Sequence, residues 1–580
     1  MKKHFSRALS ALMSFVLCIG LFAVEPPKAQ AIYTTMRGLT AQEIVSDMGV
    51  GWNLGNSLEA GSSETAWGNP ATTKDMIDDI ADKGFKTLRI PVRWDTRYTN
   101  SSTFTISADF LNRVEEVVNY GLDNDMYVII NIHHNDIQHE FTTNPSDQQA
   151  VKNEVSAVWT QVANHFKNYG DKLIFEIINE PRSGEDWTGT TELYSLVNEV
   201  NEVGRAAIRA TGGNNASRLI MLPTYCASCD TPKMLGWEKN EADDMIAVSI
   251  HAYQPFDFAF SGTGHTNWTS DDEKSLKSLF EGMSMLFQDK GIPVVIGEFG
   301  SINKNNTDQR LLHAEAFATV AAKYDMPIVW WDNNAFNVGA ENFGLYSRWS
   351  KSFTYSNIAD MLISTYNNYD PAADTDSDED KFVFSDSESS ASGWSQALSI
   401  DATIPIRKAI EEGAYFYVEY SGTKDKIELI FQSMSGGEGW AKIPSSESGT
   451  LENGKYYVKY SYENCVSGFK SDDFLKYLDK IYVGAAGTDL TVYHFELVVP
   501  QNEEDDDNGG STIPAVTNTG DVNDSGEIDI RDVVLLYQHI SHRAVTINLT
   551  KADTNGDNDV SIRDVVLLYQ YISNWPVEIK

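Results

Sequence analysis

Short apolar runs alternate with amphipathic stretches between positions 51 and 333. Eight runs, at 51–55, 87–92, 127–134, 173–181, 218–225, 245–253, 292–300 and 327–333, carry the β-rich apolar pattern. Several are continuous Val, Ile and Leu segments, which is typical of strands buried on both faces of a parallel sheet. The stretches between them, such as 111–118 and 193–208, have apolar residues at helical spacing. Eight such β-α units predict an α/β fold, a closed (β/α)8 TIM barrel over 36–369.

An open doubly wound sheet is the alternative architecture for alternating strands and helices. Such a sheet usually has a glycine-rich turn after its first strand, and Gly51-Trp-Asn-Leu-Gly55 does not match that fingerprint. The barrel is therefore favoured.

The pattern changes after position 369. Two acidic, apolar-poor segments at 370–380 and 501–515 predict solvated linkers. Between them, strand-like runs at 414–420, 426–432, 456–462 and 491–499 predict an all-β sandwich over 381–500. We interpret this module as carbohydrate-binding, with a stacking platform drawn from Trp394, Trp440, Tyr456 and Tyr457; a structural spacer is the alternative.

Residues 1–31 have the pattern of a signal peptide. Lys2, Lys3 and Arg7 precede an apolar run at 8–24, and Ala29-Gln-Ala31 is a small-residue cleavage site. A membrane anchor is the alternative, but the run is short for a span and no later segment resembles a stop-transfer sequence. We therefore predict a secreted, extracellular protein with no membrane partner.

The charge of the chain narrows its partners. The formal net charge is -38, and removal of 1–31, with its four basic residues and one acidic residue, takes it to about -41. Such a surface repels phosphate backbones and anionic membranes, whereas a neutral polysaccharide is indifferent to it. Beyond the leader only Cys226, Cys229 and Cys465 remain, and Cys226-x-x-Cys229 lacks a second ligand pair for zinc. A local disulfide and two ordinary thiols both stay open for that pair.

Polar side chains end several of the predicted barrel strands, where TIM barrels place their reactive groups. They are His133 and His134, Asn179 and Glu180, His251 and Tyr253, Glu298, and Trp331, with Arg89 inside the second strand. Two carboxyls on different strands, flanked by neutral and cationic donors, form the arrangement that hydrolyses an acetal. One carboxyl protonates the leaving oxygen while the other attacks or activates water.

The motifs around these residues resemble glycoside hydrolase family five. They are Leu88-Arg89-Ile-Pro, Asn179-Glu180-Pro181, Gly297-Glu298-Phe299 and Trp330-Trp331-Asp-Asn333. The stretch 51–56 and the pair His133-His134 resemble its bacterial endoglucanase and xyloglucanase branch. The resemblance implies a (β/α)8 fold and a retaining double displacement without a catalytic metal, with Glu180 as acid/base and Glu298 as nucleophile.

Endo-β-1,4-glucan hydrolysis, on cellulose or related β-glucans, is the function that this resemblance implies. Xyloglucan, lichenan and mannan stay open as preferred substrates, as does endo versus processive action. A non-catalytic, calcium-dependent glycan-binding scaffold component is the alternative from another class.

Supporting roles follow from position and chemistry. We expect Arg89 and Tyr253 to keep Glu298 ionised, because a nearby cation and a donated hydrogen bond both lower the pKa of a carboxyl. We expect His251 to contact Glu180 or the substrate. The sugar is assigned to Asn179 at the 2-hydroxyl, to His133 and His134 at other hydroxyls, and to Trp331 by stacking. Trp52, Trp67 and Trp94 line further subsites or belong to the core.

A duplication occupies the end of the chain. The nine residues at 530–538 recur identically at 562–570, with a period of 32. Before and into each copy, oxygen-bearing side chains have the spacing of an EF-hand-like calcium loop. They are Asp521, Asn523, Ser525, Asp529 and Asp532 in the first copy, and Asp553, Asn555, Asp557, Ser561 and Asp564 in the second. An acidic repeat without calcium is the alternative.

Each loop ends in Asp where an EF-hand has Glu, and only one helix follows it. Those departures resemble the dockerin family over 516–580. The resemblance implies two structural Ca²⁺ ions and a cohesin module of a scaffold protein as partner, hence a cellulosome component. It also places partner contacts at Ile530-Arg531 and Ile562-Arg563.

Overall fold

The computed structural model describes residues 33–339, 341–371, 382–433, 439–471, 474–499 and parts of 519–579. These residues form two compact units that divide at position 500, and each unit is described by itself. The predicted signal peptide lies outside the described residues. Where the structure is described, no helix is long and apolar enough to cross a membrane.

Residues 41–367 form strands that alternate with helices. The strands are β1 (Val50–Leu54), β2 (Thr87–Ile90), β3 (Tyr98–Asn100), β4 (Thr105–Ile106), β5 (Tyr127–Asn131), β6 (Leu173–Glu176), β7 (Ile220–Ser228), β8 (Ile246–His251), β9 (Val294–Phe299), β10 (Ile328–Asp332), β11 (Tyr346–Ser347) and β12 (Ser352–Phe353). The helices are α1 (Ala41–Met48), α2 (Lys74–Lys83), α3 (Ala108–Asp123), α4 (Pro145–His165), α5 (Thr191–Ala210), α6 (Thr231–Leu235), α7 (Phe256–Ala259), α8 (Ser270–Leu286), α9 (Thr307–Lys323) and α10 (Ser356–Asn367).

Eight parallel strands close into a barrel in the order β1-β10-β9-β8-β7-β6-β5-β2. The predicted TIM barrel is therefore confirmed, and each of the eight apolar runs overlaps one of its strands. Nearly every strand residue is buried, because helices cover the outer face and side chains fill the interior. All the predicted runs except 218–225 extend past their strands at the C-terminal end, so several of the polar residues lie in the loops above the barrel.

The N-terminal end of the barrel interior is closed by α1. Its apolar face, which includes Ile44 and Met48, packs with inward-facing residues such as Ile129 and Val295. Thr40 and Glu43 form a capping box that fixes the start of this helix. The opposite end of the barrel is left for the polar residues.

The module that follows consists of two antiparallel sheets with three short helices. Its elements are β13 (Val383–Ser385), β14 (Ser389–Ala391), β15 (Gln396–Asp401), α11 (Ile404–Glu411), β16 (Tyr415–Gly422), β17 (Ile427–Gln432), β18 (Trp440–Ile443), β19 (Glu447–Thr450), β20 (Tyr456–Tyr460), α12 (Tyr462–Phe469), α13 (Phe474–Tyr477), β21 (Lys480–Ala485) and β22 (Leu490–Val498). One sheet has the order β13-β22-β16-β20-β19, with β14 also on β22, and the other β15-β21-β17-β18. Alternate residues such as Phe416, Val418 and Phe431 face the shared core, as the predicted sandwich requires.

The second unit contains α14 (Ile530–Ile540) and α15 (Ile562–Ile572). Val533, Leu536, Val565 and Leu568 from the two helices form one buried cluster, so the two repeats share a core. Seven of the predicted calcium ligands, Asp521, Asn523, Ser525, Asp529, Asn555, Asp557 and Ser561, lie outside the described residues. Asp532, Asp553 and Asp564 are described; Asp532 and Asp564 are fully buried, and Asp553 is partly buried.

Candidate active site

Two glutamates from opposite parts of the barrel meet at its C-terminal mouth. Glu298 belongs to β9, and Glu180 lies four residues beyond β6. One oxygen of each carboxyl and one nitrogen of His251 lie within 4.8 Å of one another. The structure therefore brings together the two carboxyls that the sequence singled out.

The Glu298 carboxyl is held by two donors. Arg89 Nη1 lies 2.7 Å from its Oε1, and the Tyr253 hydroxyl donates to Oε2 over 2.8 Å. Burial raises the pKa of Glu298 above its usual value, while the positive charges of His251 and Arg89 and the Tyr253 hydrogen bond oppose the rise. Arg89 and Tyr253 thus act in the expected direction, but burial and the negative charge of Glu180 outweigh them, so the expectation of a lowered pKa is wrong.

The Glu180 carboxyl has a different environment. Its Oε1 lies 2.9 Å from His251 Nδ1, and Arg182 Nη1 lies 3.9 Å from its Oε2. Burial opposes ionisation, yet the His251 hydrogen bond and the charges of His251 and Arg182 lower the pKa of Glu180. Burial also disfavours the charge on His251, but Glu298 and Glu180 outweigh it and raise its pKa. The contact between them therefore favours the ionised form of Glu180 and the protonated form of His251.

A buried polar layer beneath the glutamates was not predicted from the sequence. Arg89 Nη2 lies 2.7 Å from Glu176 Oε2, which also accepts from Asn131 Nδ2, and Glu176 Oε1 accepts from Ser249. Asn53 completes the layer by accepting from Arg89 Nη1 at 2.9 Å. The carboxylates of Glu176 and Glu298 raise the pKa of Arg89 despite its burial. The signal was available, because each of these residues interrupts an otherwise apolar strand.

Asn179 is tied to the same layer. Its Oδ1 accepts a hydrogen bond from Arg89 Nη2 at 2.9 Å, which leaves its amide NH₂ group to face other partners. Arg89 therefore holds both Asn179, which directly precedes Glu180, and Glu298.

An aromatic wall stands on the other side of the mouth. The rings of Trp331 and His133 are parallel, with centroids 5.8 Å apart, and His134 packs edge-on against His133 at 4.4 Å. Trp67 continues the wall at 5.6 Å from His134. Burial holds the pKa of His133 well below its usual value and that of His134 at about 4, so both rings are neutral. Neutral rings suit an uncharged ligand.

The position of the Trp331 ring accounts for the glycine at position 55, directly after β1. A Cβ on Gly55 would lie 2.9 Å from the Trp331 ring, so only glycine allows the indole to lie there. Trp52 and Trp94 are 1% exposed, donate to Asp332 and to the Asn131 carbonyl, and belong to the core. Of the three additional tryptophans only Trp67, 46% exposed, is available to a ligand.

The cysteines are free thiols. Cys226, Cys229 and Cys465 are all buried and unpaired, so the open question of a Cys226–Cys229 disulfide is answered in favour of two thiols. Burial raises the pKa of each to about 12, which keeps them protonated. They contribute no nucleophile to the site.

The module's aromatic residues divide between its two sheets. Trp440 on β18 lies 5.2 Å from Tyr482, and Trp394, just before β15, is 69% exposed with Lys442 over its ring. These belong to the β15-β21-β17-β18 sheet. Tyr456 and Tyr457 lie on β20 in the other sheet, where Tyr457 stacks on Tyr417. The predicted four-residue platform is therefore wrong in its tyrosines, and Tyr482 takes their place.

Comparison with known proteins finds a family match for three segments of the chain. Cellulase (glycosyl hydrolase family 5) matches residues 53–337, carbohydrate binding module 65 domain 1 matches 384–495, and the dockerin type I domain matches 519–573. Endoglucanase A of Clostridium longisporum is 40% identical over 395 residues, which are 65% of this chain and 75% of that protein.

Two solved structures illustrate the range of relatives. A broad-specificity endoglucanase from Clostridium cellulovorans is 46% identical, with a TM-score of 0.56, and covers 58% of this chain and 99% of its own. A xyloglucan-specific endo-β-1,4-glucanase from a metagenomic library is 35% identical, with a TM-score of 0.53, and covers 56% of this chain and 98% of its own.

The barrel and its paired carboxyls define a glycoside hydrolase, and the chain belongs to glycosyl hydrolase family 5, whose members retain anomeric configuration. Within that family it is an endoglucanase that carries a dockerin for docking to a cellulosome. Dockerin domains bind calcium, which the buried acids Asp532 and Asp564 suit.

Proposed function

We propose that Glu298 is the nucleophile and Glu180 the acid/base of a double displacement on β-1,4-linked glucans. The observation that supports this most is the approach of the two carboxyls, whose nearest oxygens lie within 4.8 Å of each other. Retaining enzymes place them about 5–5.5 Å apart, whereas inverting enzymes need about 6.5–9.5 Å to admit a water. The close spacing supports direct attack on the sugar.

The first displacement forms a glycosyl-enzyme. A Glu298 oxygen attacks the anomeric carbon, the glycosidic C–O bond breaks, and the leaving oxygen takes a proton from Glu180. That proton reaches Glu180 from His251 Nδ1 across their 2.9 Å contact. Arg89 and Tyr253 favour the ionised form of Glu298 that attacks.

The second displacement releases the sugar. Glu180, now a carboxylate, removes a proton from water, and the resulting oxygen attacks the anomeric carbon while the bond to Glu298 breaks. The Asn179 amide is placed to donate to the 2-hydroxyl, a contact that strengthens in the transition state. His133 and His134 contact neighbouring hydroxyls, and Trp331 stacks on a glucosyl ring.

The substrate is a neutral β-glucan backbone. The aromatic wall of Trp331, His133, His134 and Trp67 is uncharged, and the ring of Trp331 offers a flat face, which suits pyranose rings of unmodified or branched chains. One solved relative is named as broad in specificity and another as specific for xyloglucan. These names support a broad substrate range that includes xyloglucan. Lichenan and mannan are the remaining candidates within the family.

The remaining modules attach the enzyme to its surroundings. The exposed rings of Trp394 and Trp440, with Tyr482, suit glycan stacking, and the match to a carbohydrate-binding module supports this use. The dockerin repeats hold one Ca²⁺ each, with Asp532 and Asp564 as the last ligands of their loops, and dock to a cohesin module outside the cell.

A substrate panel tests the enzymatic proposal. Reducing-sugar release is measured on carboxymethylcellulose, xyloglucan, lichenan, xylan and glucomannan, and NMR identifies the anomer released first. We expect activity on the first three with the β-anomer as first product. Glu298→Gln should lose turnover by about 10⁴-fold or more while keeping glycan binding, because a neutral amide cannot attack. Glu154→Gln, a buried carboxyl outside the site, serves as control.

An initial α-anomer would contradict the retaining mechanism, and wild-type turnover in Glu298→Gln would remove the nucleophile assignment. Silence on all five polysaccharides would favour the glycan-binding scaffold instead.

Calcium removal tests the docking proposal. Chelation should unfold the C-terminal repeats, seen as lost cohesin binding, because the buried acids lose their counter-charge. Hydrolysis of soluble glucan should persist, since the positive charge that pairs with Glu298 in the barrel comes from the Arg89 side chain and not from calcium. Loss of both activities together would contradict independent modules.

A further inference from the structure

A cavity lined by both apolar and charged residues lies where the rim of the barrel meets the sandwich module. It has a volume of about 460 Å³, within the range of ligand pockets. Trp187, Lys233 and Gln254 line it from the barrel, and Asp401 and Lys480 line it from the module. Neither the catalytic residues nor the exposed rings of Trp394 and Trp440 belong to it.

The two walls are packed against each other by a direct contact between α8 and α11. The Ser278 hydroxyl donates to Thr403 Oγ1 at 2.9 Å. Beside it, a Cβ on Gly282 would lie 3.1 Å from Ile404 Cβ, so a glycine lets the two helices approach closely. The module therefore forms one side of a cavity in the same compact unit as the barrel.

The cavity lies on the proton-donor side of the active site. Gln254 directly follows Tyr253, whose hydroxyl donates a hydrogen bond to Glu298. The Arg182 guanidinium lies 4.1 Å from the Trp187 ring centroid and 3.9 Å from Glu180 Oε2. In the barrel order, β6, which precedes Arg182 and Trp187, lies across the mouth from β10, which carries Trp331. A chain leaving past Glu180 would therefore run towards this cavity.

The chemistry of the walls suits a neutral, hydroxyl-rich ligand. The charged residues balance, with acids Asp230, Asp401 and Asp479 against bases Lys233, Arg407 and Lys480. Asp230 pairs with Lys233 and Asp401 pairs with Lys480, each at 2.6 Å. Such pairs offer donors and acceptors without net charge, and the half-exposed ring of Trp187 offers a stacking face at the barrel end.

We propose that this cavity is a binding subsite for the leaving-group half of a β-glucan chain, formed jointly by the barrel and the module. The inference rests on the proposed function, because it takes Glu180 as the proton donor. It makes the sandwich module part of the catalytic cleft, in addition to any glycan binding at its exposed rings.

The test compares a long substrate with one that does not reach the cavity. In the full-length calcium-loaded enzyme, the double variant Asp401→Ala/Lys480→Ala removes the module wall. We expect its KM for cellohexaose to rise about five- to tenfold, the effect of losing one or two hydrogen bonds to sugar hydroxyls. Its kcat/KM for 4-nitrophenyl cellobioside should stay unchanged, because the small aryl leaving group ends before the cavity. The positions at which end-labelled cellohexaose is cut should shift as well.

A second variant tests the barrel wall, and a matched pair serves as control. Trp187→Ala should show the same selective loss on cellohexaose. Glu447→Ala/Lys459→Ala removes an ion pair of 3.1 Å on the module's other sheet and should change neither substrate.

Three results would overturn the inference. The first is that Asp401→Ala/Lys480→Ala matches the wild type on cellohexaose. The second is that this double variant impairs both substrates equally. The third is that only Trp187→Ala has an effect, which would assign the subsite to the barrel alone. A wild-type enzyme inactive on both substrates would overturn the proposed function itself, and this inference with it.

Discussion

The barrel mouth and the sandwich module present opposite kinds of surface. At the barrel mouth Arg89 forms ion pairs with both Glu176 and Glu298, and all three side chains are buried. On the module Trp394 and Trp440 are 69% and 42% exposed. Bond breaking needs charges held in a site that excludes water, because they act strongly there and need no reorganisation. Binding alone needs only a flat apolar surface, so the module can be changed at far smaller cost.

The largest expected effect breaks the charged layer of the barrel. Arg89→Lys keeps one positive charge but cannot contact Glu176, Asn179 and Glu298 together, because lysine lacks the planar fork of donors. We expect kcat/KM on soluble glucan to fall by about 10²–10³-fold. Arg205→Lys, which alters an ion pair with Glu202 and Asp243 outside the site, should leave turnover unchanged. Equal losses in the two variants would point to general destabilisation instead.

A smaller effect concerns the stability of the barrel at acidic pH. His313 is buried among aromatic rings near Arg310, and burial lowers its pKa to about 4. Between its ordinary pKa of about 6.5 and 4 the unfolded chain binds one more proton than the folded chain. The free energy of unfolding should therefore fall as pH falls through that window, by about 3 kcal/mol from this group.

The measurement is urea unfolding of the wild type and His313→Gln at pH 7 and pH 4.5. The variant should lose less stability between the two pH values, because it has no imidazole to protonate. His139→Gln alters a histidine at the end of a short 3-10 helix of the same barrel and serves as the control. An unchanged slope in His313→Gln would show that this ring does not carry the effect.

The smallest effect belongs to the module. Trp440→Ala should weaken the binding of soluble glucan to the exposed face of the β15-β21-β17-β18 sheet by about tenfold, which is the contribution of one stacked ring. Affinity electrophoresis measures it, while hydrolysis of short oligosaccharides should not change. Tyr457→Ala on the opposite sheet is the matched control. If Tyr457→Ala weakened binding as much as Trp440→Ala, the glycan would lie on the other sheet.

The sequence predicted the elements of the barrel better than its interior chemistry. Eight strands could be found because each is an apolar run, and Glu180 and Glu298 because their local motifs are specific. Glu176 and Ser249 were missed, since one polar residue in an apolar strand becomes meaningful only when barrel closure brings β2, β6 and β8 together. The raised pKa of Glu298 has the same origin, because burial depends on the whole fold.

The module shows a second limit of pattern reading. Four of its strands were predicted, but α11 was not, although Pro405 lies in its first turn, where helices accept proline. Its contact with α8 joins residues more than 120 positions apart, and no local pattern reports such a pairing. The cavity between barrel and module could therefore be found only in three dimensions.

The three buried thiols can report when the regions of the protein around them open transiently. Cys226 and Cys229 lie in the barrel and Cys465 in the module, and each is inert while its surroundings stay closed. A thiol reagent applied in short pulses would mark each cysteine only at the moment its region opens. Peptide mapping would then time the opening of the barrel and of the module separately, in the unaltered chain and without any added dye.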